Sequence, residues 1–374
     1  MRRFHDFDLA EESTQDAVVA ALESWPREGK PDRPGAWLQT VATRRALNRI
    51  AREKRYAQKL EEIVPGRSVG EPDDRLHLIL ICCHPALARD AQIGLTLRAV
   101  CGLTTAEIAR AFLASETAVA QRLVRAKRKI ALAAIPYRLP TESELSERLS
   151  EVLAVLYLLF NEGHLASGAG APFRRDLAQD AAWLAGLLAR LAPDQPEVLG
   201  LLALMKLHLA RGESRFTPDG AMVLLEDQDR GRWDRKLLAE GVALIERAAG
   251  QARPGPYQLE AAIAACHAEA ESFELTDWRQ IVVLYDMLLL LAPSPVVRLN
   301  RAIALWKLKG PVPALHEMDA VRAELDGYHL LHAARAELLR ELGRLEETRA
   351  AELRALALTN NQAERSLLEE RLFT

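Results

Sequence analysis

Between Gly102 and Ile130 the chain reads GLTTAEIARAFLASETAVAQRLVRAKRKI: a short helical pattern, a break of about three residues, then a second helical pattern loaded with Arg and Lys. No other stretch narrows the possible folds as far. In the second pattern Val119, Leu123, Ala126 and Ile130 recur at helical spacing as one apolar stripe. Gln121, Arg122, Arg125, Arg128 and Lys129 lie off that stripe. Ser115 stands where an N-cap is needed, its hydroxyl able to accept from an N–H two or three residues on. Ile108, Ala109 and Phe112 of the first pattern offer an apolar face to the stripe. A charge run alone usually marks a solvated surface helix. Cap, break, stripe and charge agree here, and together they predict a helix-turn-helix whose second helix enters a DNA major groove. Glu116, Thr117 and Gln121 would then reach base edges, and Arg125, Lys127, Arg128 and Lys129 would hold phosphates.

The charge balance along the chain supports that reading. Residues 1–138 hold 23 Lys+Arg and 17 Asp+Glu, a net +6; residues 139–374 hold 26 and 35, a net −9. A basic front suits a polyanionic partner, and an acidic rear does not. A second basic helix is predicted from about Ala36 to Leu60. Arg45, Arg49, Arg52, Arg55 and Lys59 fall on one face of it, with Ala46, Ile50 and Ala57 opposite. Such a row suits a phosphate track, and Trp37 at its start can stack on an unpaired base or pack in a core.

Ala and Leu dominate the 374 residues, and aromatics are few, which favours helices. The fold class is expected to be all-α. Residues 1–62 form a first block, 63–73 a linker that reads VPGRSVGEPD from Val64, and 74–136 a second block. Residues 144–374 form a long third block of successive helices separated by turn signals such as APDQP, RPGPY, APSP and KGPVP. Within it, Arg211–Arg232 has no helical period and reads as a loop or hairpin insertion. The helix–Gly–helix layout of KLKGPVPALHEMDAV and ELGRLEETRAAELRALALTNN resembles tetratricopeptide helix pairs, which offer surfaces for peptides or other domains.

No apolar run approaches the ~20 residues of a membrane span, and the start MRRFHDFDLAEE lacks an apolar signal core. A cytoplasmic protein without membrane contact is expected. Cys82, Cys83, Cys101 and Cys266 contain no Cys-x-x-Cys pair and are read as buried thiols. FNEGH and HAEAE place His beside Glu, but without the His-x-x-x-His spacing of a helical zinc site. No Gly-rich phosphate loop or nucleophile elbow is present, so no metal, no cofactor and no catalytic residue are expected.

Two basic helical units joined by a linker resemble a minimal bacterial sigma factor. LTTAEIARAFLASETAVAQRLVRAKRKI resembles its region four, and DLAEESTQDAVVAALESWP followed by GAWLQTVATRRALNRIAREKR resembles its region two. YLLFNEGHLAS, LLEDQDRGRWDR and PYQLEAAIAACHAEA resemble the C-terminal extension of an extracytoplasmic-function subgroup that carries a tetratricopeptide-like domain. The resemblance implies a non-catalytic subunit that binds the clamp and flap of core RNA polymerase and directs it to promoter DNA. It implies that Ala10, Glu11, Glu12, Gln15 and Asp16 meet the polymerase. Trp37, Arg45, Asn48, Arg49, Arg52 and Arg55, with the loop Arg27–Arg33, would meet the −10 element. Ser115, Glu116, Thr117, Gln121, Arg122, Arg125, Arg128 and Lys129 would meet the −35 element. Family members open with a further helix before the DFDLAEE segment, so a short N-terminus is expected. Gly is frequent in the helix-turn-helix break, and with Leu113 and Ala114 there the turn is expected to avoid a left-handed residue. Three roles stay open for the acidic rear block: contact with the sigma regions in cis that masks their DNA-binding faces, holding a partner, or bracing the polymerase complex. The competing reading is a DNA-binding regulator with a helical sensing domain, which would bind duplex DNA on its own.

Overall fold

The computed structural model describes residues 74–133, 140–164, 175–217 and 220–372, with residues 17, 18, 21, 25, 29–31, 33–38 and 40–42 of the N-terminal region. Among them the regular structure is helical, as the Ala- and Leu-rich composition predicts, apart from one isolated antiparallel bridge between Phe216 and Met222. Residues 1–77 with 135–140 form one compact unit, and 78–134 with 141–374 form another.

In the first unit Ala17 and Ala21 are buried. Trp37 lies in a helical stretch and meets the ring of Trp25 edge-on, centroids 5.5 Å apart at 63°. Trp37 therefore has a packing role, whatever else it does.

The helices from Asp74 onward are α1 (Asp74–Cys82), α2 (Arg89–Ala99), α3 (Thr105–Ala111), α4 (Glu116–Ala133), α5 (Glu142–His164), α6 (Arg175–Leu191), α7 (Pro196–Ala210), α8 (Arg235–Ala249), α9 (Pro256–Glu269), α10 (Trp278–Leu291), α11 (Pro295–Lys309), α12 (Pro311–Ala320), α13 (His329–Glu341), α14 (Leu345–Leu358) and α15 (Gln362–Leu372). Four of them begin on proline, whose missing N–H costs nothing in a first turn. Gly310, at φ +85°, joins α11 to α12, a backbone conformation that L side chains rarely adopt.

From α5 onward each helix packs on the next in the chain, with added contacts between α5 and α7, α7 and α9, and α11 and α13. The interfaces run as consecutive apolar clusters. Leu207, Trp233 and Leu238 form one, Ile263, Ile281 and Val282 another, and Leu299, Leu315, Met318, Leu331 and Leu339 a third. Packing on the next one or two helices gives a core built in consecutive layers. Gly163 in FNEGH marks a tight approach: a Cβ there would fall 2.9 Å from the Ala178 Cα on α6. α12 ends at Ala320, and 321–327 are turns that still bury Val321 and Leu325. The aperiodic segment 211–232 holds three short 3-10 turns and the Phe216–Met222 bridge.

Candidate nucleic-acid interface

α2 to α4 build a small apolar core from sequence-local signals. Thr104 caps α3 in a capping box, accepting from the Glu107 N–H while the Glu107 carboxylate accepts from the Thr104 N–H. Ser115 caps α4, its Oγ accepting from the Ala118 N–H at 3.3 Å. Ile108, Ala109, Val119, Leu123 and Ala126 are buried. Gly94 on α2 faces Phe112, Leu123 and Ile108, which a Cβ there would meet at ordinary contact distances of 3.4–4.0 Å.

The turn between α3 and α4 corrects one expectation. Leu113 has φ +50°. The Ala114 N–H donates to the Ala109 carbonyl at 2.8 Å and the Leu113 N–H to the Arg110 carbonyl at 3.0 Å. This is a Schellman ending, and its geometry needs a left-handed residue at that position. The hydrogen bonds that close α3 outweigh the intrinsic cost of putting a leucine there.

Glu116, Thr117, Gln121, Arg125, Arg128 and Lys129 are exposed along α4, and so is Ser115 at its cap. Thr117, Gln121, Arg125 and Arg128 follow one another at i, i+4, i+8 and i+11, a single face opposite the buried stripe. Val124, 68% exposed, sits on the same outward side. Arg125 Nε donates to the Gln121 carbonyl at 3.3 Å, which lays its guanidinium back along the helix. Arg122 is different: its Nη1 pairs with Asp90 Oδ2 on α2 at 3.1 Å, so in this state it ties α4 to the scaffold. Asp90 was not singled out from the sequence, because the pairing joins residues 32 apart in the chain. Ala10, Glu11, Glu12, Gln15 and Asp16, and Arg45, Asn48, Arg49, Arg52 and Arg55, lie outside the described residues.

α5 grips this helical unit from the side of α2 and α3. Arg148 on α5 is 5% exposed and donates from Nη1 to the Leu80 carbonyl in α1 at 2.9 Å. Arg89 approaches Glu151 at 3.8 Å. α5 thus packs on α2 and α3, and the residues Glu116, Thr117, Gln121, Arg125, Arg128 and Lys129 of α4 stay exposed.

Cys82, Cys83 and Cys266 are free and buried. Burial pushes the Cys82 thiol up to about 12 and Cys83 higher still, so neither is poised as a nucleophile or ligand. No group of three His, Cys, Asp or Glu residues able to hold a metal occurs among the described residues. No helix among them is long and apolar enough to cross a membrane.

Three family comparisons divide the chain. Residues 1–56 match sigma-70 region 2, residues 77–130 match sigma-70 region 4, and residues 148–249 match a family of unknown function, DUF6596. An uncharacterized protein of Rhizobium meliloti (strain 1021), R00370, is 43% identical over 385 residues, spanning all of this chain and 91% of its own length. No solved structure matches.

Proposed function

We propose, from the premise that the chain belongs to the sigma-70 family, that it is a promoter-specificity subunit of the extracytoplasmic-function type with a tetratricopeptide-like regulatory extension. As a sigma factor it binds RNA polymerase and promoter DNA. The observation that carries the finer reading is the outward row Thr117, Gln121, Arg125 and Arg128 on a helix whose other face is fully engaged in core packing. In this reading Glu116, Thr117 and Gln121 read base edges of the −35 element, where the helix N-terminus enters the groove. Arg125, Arg128 and Lys129 neutralise flanking phosphates and set register, with Ser115 fixing the start of the helix. Arg122 exchanges Asp90 for a phosphate when DNA arrives.

Region two supplies the second half of the reading. Arg45, Asn48, Arg49, Arg52 and Arg55 face the −10 element, and Trp37 holds the start of that helix against Trp25. Ala10, Glu11, Glu12, Gln15 and Asp16 dock on the polymerase clamp, and region four meets the flap. The chain contributes no catalytic group; polymerase does the chemistry, in the cytoplasm. α5 to α15 form the regulatory part, anchored to region four through Arg148.

Run-off transcription with purified protein and sigma-free bacterial core polymerase, on fragments of the source genome, tests this. Discrete new start sites preceded by shared −35 and −10 elements are expected. Sequence-specific duplex binding by the chain alone, with no transcription from core polymerase, would instead make it an ordinary DNA-binding regulator.

A further inference from the structure

Behind α5, where FNEGH ends, three helix C-termini meet the aperiodic segment 211–232. His164 closes α5, His208 lies in the last turn of α7, and His267 lies in the last turn of α9. The rings of His164 and His208 are 5.0 Å apart, and Phe160 stacks on His164 at 5.3 Å. Three arginines enter the same place. Arg215 Nη1 donates to the His164 carbonyl at 2.6 Å, and Arg211 Nε donates to Gln228 Oε1 at 3.2 Å. Arg230 Nη1 donates to the carbonyls of His267 and, at 2.8 Å, Ala270. The Arg230 guanidinium lies over the Trp233 ring at 4.8 Å, and that of Arg211 lies 5.5 Å from the same ring.

Carbonyl capping accounts for part of this arrangement, because cations suit helix C-termini. It does not account for the charge. Among the described residues no carboxylate comes within ion-pairing distance of Arg211, Arg215 or Arg230. Buried Arg230 Nη2, Trp233 Nε1 and His267 Nδ1 have no hydrogen-bond partner. Burial and mutual repulsion depress Arg211 to about 10 and Arg215 to about 9. His208 falls to about 3 and His267 to about 4, for burial first and the neighbouring arginines second. Arg211 and Arg215 are largely desolvated with no counter-charge, which is costly; Arg230 is less buried and feels Glu274, and its orphaned donor adds to the cost. An oxyanion answers both, and guanidinium forks match its geometry.

We propose that Arg211, Arg215 and Arg230, with Trp233 and the surrounding histidines, form a binding site for the oxyanion group, phosphate or carboxylate, of a small ligand. This goes beyond the sigma-factor reading and does not depend on it, since the site lies wholly in the rear helical part. The neutral imidazoles add donors without adding charge, and the Trp233 and Phe160 rings shield the site from water. The site occupies the far end of α5 from Arg148.

The test uses the full chain with inorganic phosphate or malonate as probes, against chloride at matched ionic strength. Phosphate, malonate or both should raise the melting temperature saturably. Arg211→Met and Arg215→Met, shown by circular dichroism to remain helical, should weaken the apparent affinity about tenfold or more, the worth of a charge-assisted contact. Arg125→Ala/Arg128→Ala, which strips phosphate contacts from α4, should leave that affinity in place. Hydrogen exchange on the unaltered chain provides a reading that needs no variant. Phosphate or malonate should protect peptides around Arg211–Arg215 and Arg230–Trp233. A response in phosphate alone assigns a phosphoryl ligand, and one in malonate alone a carboxylate. Protection confined to α4, or no protection beyond that given by chloride, would overturn the proposal and leave the arginines as helix caps.

Discussion

Leu113 shows how a single residue can carry backbone strain without a visible structural fault. Its φ of +50° places a Cβ-bearing residue in the left-handed region, and its side chain is 60% exposed. Leu113→Gly removes the steric cost and the exposed apolar surface while keeping the Schellman hydrogen bonds. It should stabilise the protein by up to about 1 kcal/mol, read as a rise in melting temperature. A fall would mean that the leucine makes a compensating contact. The histidines of the rear cluster make a second residue-scale case. Their ordinary value is 6.5, and the fold holds His208 near 3 and His267 near 4. The unfolded chain therefore binds more protons across that interval. The stability owed to neutral imidazoles is present above about pH 6.5 and is lost as pH falls below it, by about 1 kcal/mol per histidine at about pH 5.5. Arg211, Arg215 and Arg230 face these rings, and Glu274 acts only on Arg230, so no nearby acid reverses the sign. Thermal melts through this range should drop steeply on the acid side. Flat melts would mean that the rings are solvated.

At the scale of the helix, the roles proposed for α4 separate two kinds of contact. Arg125→Ala should weaken duplex binding evenly across sequences and lower the salt slope by about one. Gln121→Ala should instead relax preference at one base pair, worth about 1–3 kcal/mol of discrimination. Binding titrations over a set of single-base promoter variants distinguish the two, and equal effects from both changes would refute the assignment of roles. α5 is the other decisive helix. Its buried Arg148 reaches the Leu80 carbonyl, and Arg148→Met would take the guanidinium away from that acceptor. A loss of about 1.5–3 kcal/mol is expected, the worth of a charge-assisted hydrogen bond. Faster hydrogen exchange should appear in α1 and α2 and not in α13 to α15. Loss spread evenly over the chain would show that α5 does not act as a local anchor.

Over the whole molecule, the contact of α5 with α2 and α3 predicts that a chain cut after residue 140 exchanges α1 and α2 amides faster than the full chain. Unchanged protection would show that region four needs no support from behind. Much of this organisation was legible in sequence because its causes are local. The Ser115 cap, the Val119–Leu123–Ala126 stripe and the KGPVP break at Gly310 each follow from residues within a turn or two of one another. The left-handed Leu113 was not legible, since a Schellman ending depends on how α3 and α4 must cross. Nor was the Arg122–Asp90 pair, the Arg148–Leu80 bond, or the meeting of His164, His208, Arg211, Arg215, Arg230 and His267. Those residues lie up to about a hundred positions apart, on segments whose sequences differ in period and charge. Periodicity records which face of a helix is apolar. Which helix covers that face, and which cations are thereby shut away from water without a counter-charge, is decided only when the layers stack.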